Sequence, residues 1–150
     1  MLQIYVDADA CPVKDEIERV ATRHGLSVHL VSNGGIRPSR NPLVQIVIVP
    51  EGADVADDWI AERAGRGDIV VTSDIPLASR CLKSGAAVLK PTGRAFSEES
   101  IGLALGLRDL SRHLREVTGK ETHHAGFTRE DRSRFLGSLE NAIRAAKRLA

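Results

Sequence analysis

Aspartates stand at or just beyond the end of three apolar stretches. Asp7 and Asp9 follow Ile4-Tyr5-Val6, Asp54, Asp57 and Asp58 follow Ile46-Val47-Ile48-Val49-Pro50, and Asp74 follows Ile69-Val70-Val71-Thr72-Ser73. If these stretches are parallel strands of one sheet, the carboxylates converge at its C-terminal edge. Carboxylates gathered in a crevice repel one another, so they persist only with protons or cations, and a divalent metal is the usual solution. A metal-dependent site using Asp7, Asp9, Asp54, Asp57, Asp58 and Asp74 is the leading expectation.

Each acid also has an ordinary structural use. Asp7 and Asp9 are two apart, which strict pleating puts on one face, and Ala10-Cys11-Pro12 then turns the chain into a helix. A site role for both competes with an ordinary one, in which one acid caps the helix starting near Val13 and the other meets solvent. Asp54, Asp57 and Asp58 share the face of a helix near its positive end, where caps and dipole partners account for one or two acids more easily than for three. Asp74 precedes Ile75-Pro76-Leu77-Ala78, so an N-cap role competes with a site role. Thr72 and Ser73 are candidates to hold a water or a phosphate oxygen. Cys11 at a helix start is a conceivable nucleophile, but no Cys-x5-Arg loop follows, because position 17 is Ile. A partly buried structural thiol is expected at Cys11 and a core thiol at Cys81.

Cations supply the counterpart. Arg37 and Arg40 in a Gly/Pro loop, and Lys90 and Arg94 around Pro91-Thr92-Gly93, are candidates to bind phosphate, with Arg37, Lys90, Thr92 and Arg94 preferred. The cations of 129–148 are expected on a solvated helix face. Glu121, His123 and His124 are expected in a loop, since adjacent side chains rarely address one ion.

The elements that must position these groups alternate. Gln3 to Val6, Val28 to Ser32, Gln45 to Val49, Asp68 to Thr72 and Ala86 to Leu89 are short and β-branched, as buried parallel strands are. Helices are predicted over Val13 to His24, stopped by Gly25, over Asp54 to Ala64, and over Ile75 to Lys83. Beyond Pro91 the strands cease. Ser97 opens a predicted helix carrying Ile101, Leu105 and Leu114, Thr118 to Gly126 is a predicted loop, and Thr128 with Asp131 forms a capping box for a final helix through Phe135, Leu139, Ile143 and Ala146. The pattern predicts an α/β fold: one domain over 1–150, a parallel sheet of about five strands with flanking helices, and two extra C-terminal helices.

A chain of 150 residues, 42% hydrophobic, can bury a sizeable core. No apolar run has the length of a membrane span, no signal peptide is evident at the start, and a cytoplasmic protein with free thiols is expected. The net charge of +1 conceals an asymmetry: residues 1–74 hold 12 acids and 7 Lys+Arg, and residues 75–150 hold 8 and 14. That separation suits an acidic site flanked by phosphate-binding cations.

The residues also carry a resemblance. Asp-Ala-Asp-Ala-Cys-Pro-Val-Lys-Asp-Glu at 7–16, Ala-Asp-Asp-Trp-Ile-Ala-Glu-Arg at 56–63, Gly-Asp-Ile-Val-Val-Thr-Ser-Asp-Ile-Pro-Leu-Ala at 67–78, Pro-Thr-Gly-Arg at 91–94 and Asp-Arg-Ser-Arg-Phe-Leu at 131–136 resemble the YaiI/YqxD family of uncharacterised bacterial proteins. More widely, the chain is similar to PIN-like and NYN-type nucleases, whose parallel three-layer sheet gathers acids around Mg²⁺ or Mn²⁺. The resemblance implies Asp7 as the acid leaving the first strand, Asp74 as the acid of the Thr/Ser-x-Asp turn and Asp54 as the intermediate acid. Asp9, Asp57 and Asp58 compete for the remaining place.

The expected activity is metal-dependent phosphodiester hydrolysis, with RNA as partner, catalytic Asp7, Asp54 and Asp74, and Mg²⁺ or Mn²⁺ as cofactor. One Trp, one Tyr and three Phe offer few stacking platforms, so base-specific readout is not expected. Three alternatives stand beside it. A haloacid-dehalogenase-like phosphatase would use Asp7 as nucleophile and Asp9 as acid and base, although Cys11 departs from its usual Thr or Val. A receiver-like domain would place its phosphoacceptor after the third strand, where Pro50-Glu51 stands. A non-catalytic RNA-binding protein would keep the fold alone.

Overall fold

The computed structural model describes residues 2–9, 11–52, 54–102 and 127–149. Five strands form one sheet: β1 (Gln3–Asp7), β2 (Ser27–Ser32), β3 (Val44–Ile48), β4 (Ile69–Val71) and β5 (Ala87–Leu89). All pairings are parallel and the spatial order is β3-β2-β1-β4-β5. The helices are α1 (Lys14–His24), α2 (Val55–Arg63), α3 (Ile75–Lys83), a helical stretch at 98–102 (α4) and α5 (Arg129–Leu149). The expected α/β architecture is therefore present, with strand and helix ends displaced by a residue or so.

Alternation along the strands divides the interior in two. Ile4 and Val6 of β1, Ile69 and Val71 of β4 and Leu89 of β5 pack with Val13, Ile17 and Val20 on the α1 side and with Phe135, Leu139 and Ile143 of α5. Tyr5, Val31, Val70 and Val88 point the other way, onto Ile60 of α2 and Leu77, Ala78 and Cys81 of α3. Because β1, β2 and β4 are covered on both faces, they read as near-continuous apolar runs, whereas the edge strand β3 leaves Gln45 and Ile48 exposed. Asp7 follows Tyr5 at the interval of two that keeps it on the α2/α3 side.

Local chemistry sets the ends. Gly25 takes the left-handed conformation, φ 66°, that closes α1. Thr128 and Asp131 form the expected capping box: the Thr128 N–H donates to Asp131 Oδ2 at 3.0 Å and the Asp131 N–H to Thr128 Oγ1 at 3.1 Å. Gly93 has φ 92°, and a Cβ there would lie 2.6 Å from the Arg134 carbonyl carbon and the Phe135 nitrogen, so only glycine lets the 90–94 turn seat against α5. Leu105, Leu114, the Thr118 to Gly126 loop, Glu121, His123 and His124 lie outside the described residues. Among the described residues no helix is long and apolar enough to cross a membrane.

Candidate active site

Going along the chain, the sheet grows from β1 to β2 and β3 on one side and then restarts with β4 on the other. The reversal falls between β1 and β4, and in open parallel sheets the crevice beyond the strand ends at such a point is where ligands bind. Val6 pairs with Val71, so Asp7 and Thr72 are the next residues out of the two strands. The buried Thr72 hydroxyl donates to Asp7 Oδ2 at 3.1 Å, and its oxygen accepts the Asp74 N–H at 3.0 Å. Asp74 Oδ1 in turn accepts the Leu77 N–H at 2.8 Å and caps α3. One threonine thus clamps the two acids with the clearest positional claim. Thr72 is a positioning group whose hydroxyl serves the turn, the ordinary use of a hydroxyl there, with its proton given to Asp7.

The three acids of α2 separate. Asp54 occupies the N-cap position at φ 64°, the single non-glycine residue with positive φ among the described residues, and its side chain makes no capping bond. A non-helical residue cannot extend a helical face, so the expected shared face of Asp54, Asp57 and Asp58 does not form. Asp57 is half-buried toward the crevice. Asp58, a helical step of about 100° further round, is exposed and accepts from Arg80 Nη1 of α3 at 2.6 Å.

Asp9 leaves the sheet as well. β1 ends at Asp7, so pleating no longer aligns the pair. The Ser32 hydroxyl donates to Asp9 Oδ1 at 2.6 Å and the Asn33 N–H to Oδ2 at 3.2 Å, fastening the post-β1 turn to the end of β2. Nor does Asp9 cap α1, whose N-cap, Val13, has no side-chain bond. Ser32 and Asn33 escaped the sequence reading because their role follows from strand order.

Electrostatics mark the acids that share the crevice. The Asp7 carboxyl is raised above its ordinary range, mainly by burial, against the bond from Thr72, with the Asp74 and Asp9 charges adding to the rise. Asp57 is pushed up to about 6, by burial first and then by the charges of Asp74, Asp7, Asp54 and Asp58. Such uncompensated negative charge is what a dication neutralises, and an all-carboxylate donor set has the hard-oxygen character that Mg²⁺ or Mn²⁺ takes. Asp7, Asp57 and Asp74 are the residues that would hold it. Among the described residues no three acid, histidine or cysteine side chains already enclose one ion position, so binding would need rotamer adjustment. Asp54 is the nearest reserve, and Asp9 and Asp58 are engaged elsewhere.

The cations fall into two groups. Lys90 and Arg94 border one cavity beyond β5, next to the crevice, because the Thr72 N–H donates to the Leu89 carbonyl at 3.0 Å. Thr92 offers its carbonyl to Arg134 Nη1 at 3.3 Å, which makes it part of the scaffold. Arg37 lies in the loop after β2, on a separate cavity of about 270 Å³ shared with Lys14, Asp15 and Glu18. The structure does not join it to the Lys90 group. The cations of the final helix are exposed, as expected, and one of them also ties elements together: Arg132 Nη1 donates to the Pro12 carbonyl at 2.9 Å and to Glu16 at 3.0 Å, joining α5 to the start of α1. Cys11 and Cys81 are buried free thiols, and burial raises both; at Cys81 the value reaches about 11. At Cys11 desolvation outweighs the hydrogen bond from the Val13 N–H and the charge of Lys14, so neither thiol is a poised nucleophile.

Residues 5–145 match the family model described as uncharacterised BCR, YaiI/YqxD family. A UPF0178 protein of Parvibaculum lavamentivorans is 61% identical over 148 residues, covering 99% of this chain and 97% of its own. Others from Ruegeria pomeroyi and Rhizobium meliloti are 58% and 59% identical, covering 99% and 97% of this chain and 97% and 99% of their own. No solved structure matches the chain.

Proposed function

The chain belongs to the YaiI/YqxD family, and from that premise we propose that its strand-end carboxylates serve metal-dependent hydrolysis of phosphodiester bonds in RNA. The observation that carries this reading is the junction of β1 and β4, where Thr72 binds both Asp7 and Asp74 while Asp57 faces them with its carboxyl pushed up to about 6. Mg²⁺ or Mn²⁺ in such a place supplies an activated water and positive charge for the scissile phosphate. The protein's own contribution is positional. Thr72 fixes the Asp7 rotamer, the α3 cap fixes Asp74, and each acid keeps one oxygen without a protein partner among the described residues. Asp57 comes from a separate element, so the site spans β1, β4 and α2. Lys90 and Arg94 hold flanking phosphate by charge, and Arg94 adds a bidentate fork.

The rivals fare less well on particular observations. A phosphatase needs Asp9 free as acid and base, yet both its oxygens accept bonds from the end of β2. A receiver domain needs β1 between β2 and β3, whereas here β1 lies between β2 and β4.

The decisive experiment is Mn²⁺ titration of the wild type beside Asp7→Asn and Asp74→Asn, with cleavage of a mixed RNA pool as second readout. Each substitution is expected to weaken metal binding at least tenfold, a loss of about 1.4 kcal/mol, and to abolish cleavage. Metal binding untouched by both would remove the site; metal binding with an intact RNA pool would remove the nuclease.

A further inference from the structure

Lys90 is half-buried and Arg94 is exposed, and both border one recess in the surface. With Ala95, Phe96 and Ser100 they line a cavity of about 390 Å³ between the turn after β5 and α4. That volume falls among small-molecule sites, which span roughly 300–1,000 Å³. The neighbouring cavity across Ala95 and Phe96, about 360 Å³, has no charged residue in its lining. An anion is thereby directed to the first.

The walls are fixed. The Lys90 N–H donates to the Arg94 carbonyl at 2.8 Å and the Gly93 N–H to the Lys90 carbonyl at 2.9 Å, so the two cationic residues stand at the two ends of one closed turn. The Phe96 N–H donates to the Val88 carbonyl at 2.9 Å, and the Lys90 ammonium lies 5.0 Å from the Phe96 ring centroid. Gly93 presses the turn onto the α5 backbone. Among the described residues Lys90 and Arg94 make no ion pair, a condition they share with Arg37, Arg40 and Arg66 but not with Arg132 and Arg134 on the adjoining α5. Two unneutralised cations on a preformed, aromatic-walled cavity are suited to a phosphate on a bulky organic group.

We propose that this cavity is a terminal-phosphate subsite, which holds the phosphate-bearing end nucleotide of the substrate and makes cleavage selective for phosphorylated ends. The assignment rests on the nuclease reading for its substrate class. Location supports it: β5 is next to β4 and two strands from β1, so the turn that carries Lys90 starts about 5–10 Å to the side of the strands that bear the acids. The 5′ and 3′ phosphates share the recognised chemistry, and the test separates them.

The wild type, Lys90→Ala, Arg94→Ala and Asp74→Asn are titrated in EDTA with adenosine 5′-monophosphate, adenosine 3′-monophosphate and adenosine. One monophosphate is expected to bind at least tenfold more tightly than adenosine, and each cation substitution to weaken it about tenfold, the loss of one charge-assisted hydrogen bond. Asp74→Asn is expected to leave that binding intact, and the melting temperatures of Lys90→Ala and Arg94→Ala are to match the wild type. With Mn²⁺, an RNA bearing the matching terminal phosphate is cut about tenfold faster than the same RNA with hydroxyl ends, and Arg94→Ala removes the advantage. Equal binding by wild type and Arg94→Ala, or equal cutting of 5′-phosphate, 3′-phosphate and hydroxyl RNAs, would overturn the subsite. Phosphate-dependent binding with no RNA cut would sustain the subsite and sink the nuclease reading instead.

Discussion

Asp57 carries its proton to about pH 6 because burial and four neighbouring carboxylates disfavour its charge. Its unfolded value is near 3.8, so between about pH 4 and 6 the native state binds more protons than the unfolded state. Stability of the metal-free protein must then fall as pH rises through that window and level off above it. Thermal melts in EDTA from pH 4 to 8 are expected to show this fall on the Asp57 contribution. Asp57→Asn should flatten it and gain roughly 1 kcal/mol at pH 7.5, well under the full linkage value because the side chain stays partly solvated. Mn²⁺ should reverse the order, stabilising the wild type more than the variant. Cys11 gives a second test at this scale. A buried thiol raised by desolvation is expected to react with iodoacetamide at pH 7.5 at least tenfold more slowly than a free thiol, and Cys11→Ala should retain RNA cleavage. Fast labelling, or loss of cleavage in a folded Cys11→Ala, would contradict the structural role.

At the scale of elements, the turn between β5 and α4 carries most of the consequence. Its Gly93 touches the α5 backbone, so Gly93→Ala forces either the turn or the helix to move, and the positive φ adds strain. A loss of about 2–4 kcal/mol in urea unfolding is expected. Because Lys90 and Arg94 ride on the same turn, the affinity for phosphate should fall as well. The start of α5 is a milder case. Thr128 supplies one half of the capping box, and Thr128→Ala should cost about 1 kcal/mol while leaving metal affinity unaltered. A change in metal binding there would mean that α5 reaches the site by a route other than the turn.

For the whole molecule, the charge asymmetry between the two halves is partly cancelled by Arg80 on Asp58 and Arg132 on Glu16 and partly kept around the crevice. The early acids end strands at the crevice, whereas Lys90 and Arg94 follow the last strand beside it. Binding of single-stranded RNA should weaken with salt, and the slope of log K against log salt should shrink by about 0.7 for each phosphate contact removed. Lys90→Ala and Arg94→Ala are each expected to produce that change, and Arg37→Ala, on its separate cavity, a smaller one. Equal slopes for all three variants and the wild type would disconnect these cations from the nucleic acid.

Much of this was decided by sequence. β-branched runs that must be covered on both faces, glycine and proline stops, and the Thr128/Asp131 box fix which residues become strand or helix, since they act within a few positions. The same local chemistry puts Asp7 and Asp74 at strand ends, and the family follows from motifs spread over the chain. What remained undecided depends on which strand lies beside which. Strand order makes Thr72 the clamp between Asp7 and Asp74, sends Asp9 to Ser32 and Asn33, and separates Arg37 from Lys90. Rotation about α2 gives Asp57 to the crevice and Asp58 to Arg80, after the left-handed Asp54 has broken the helical register. Contacts between distant segments have no periodicity to betray them, so the acids are legible one by one while their division of labour belongs to the tertiary structure.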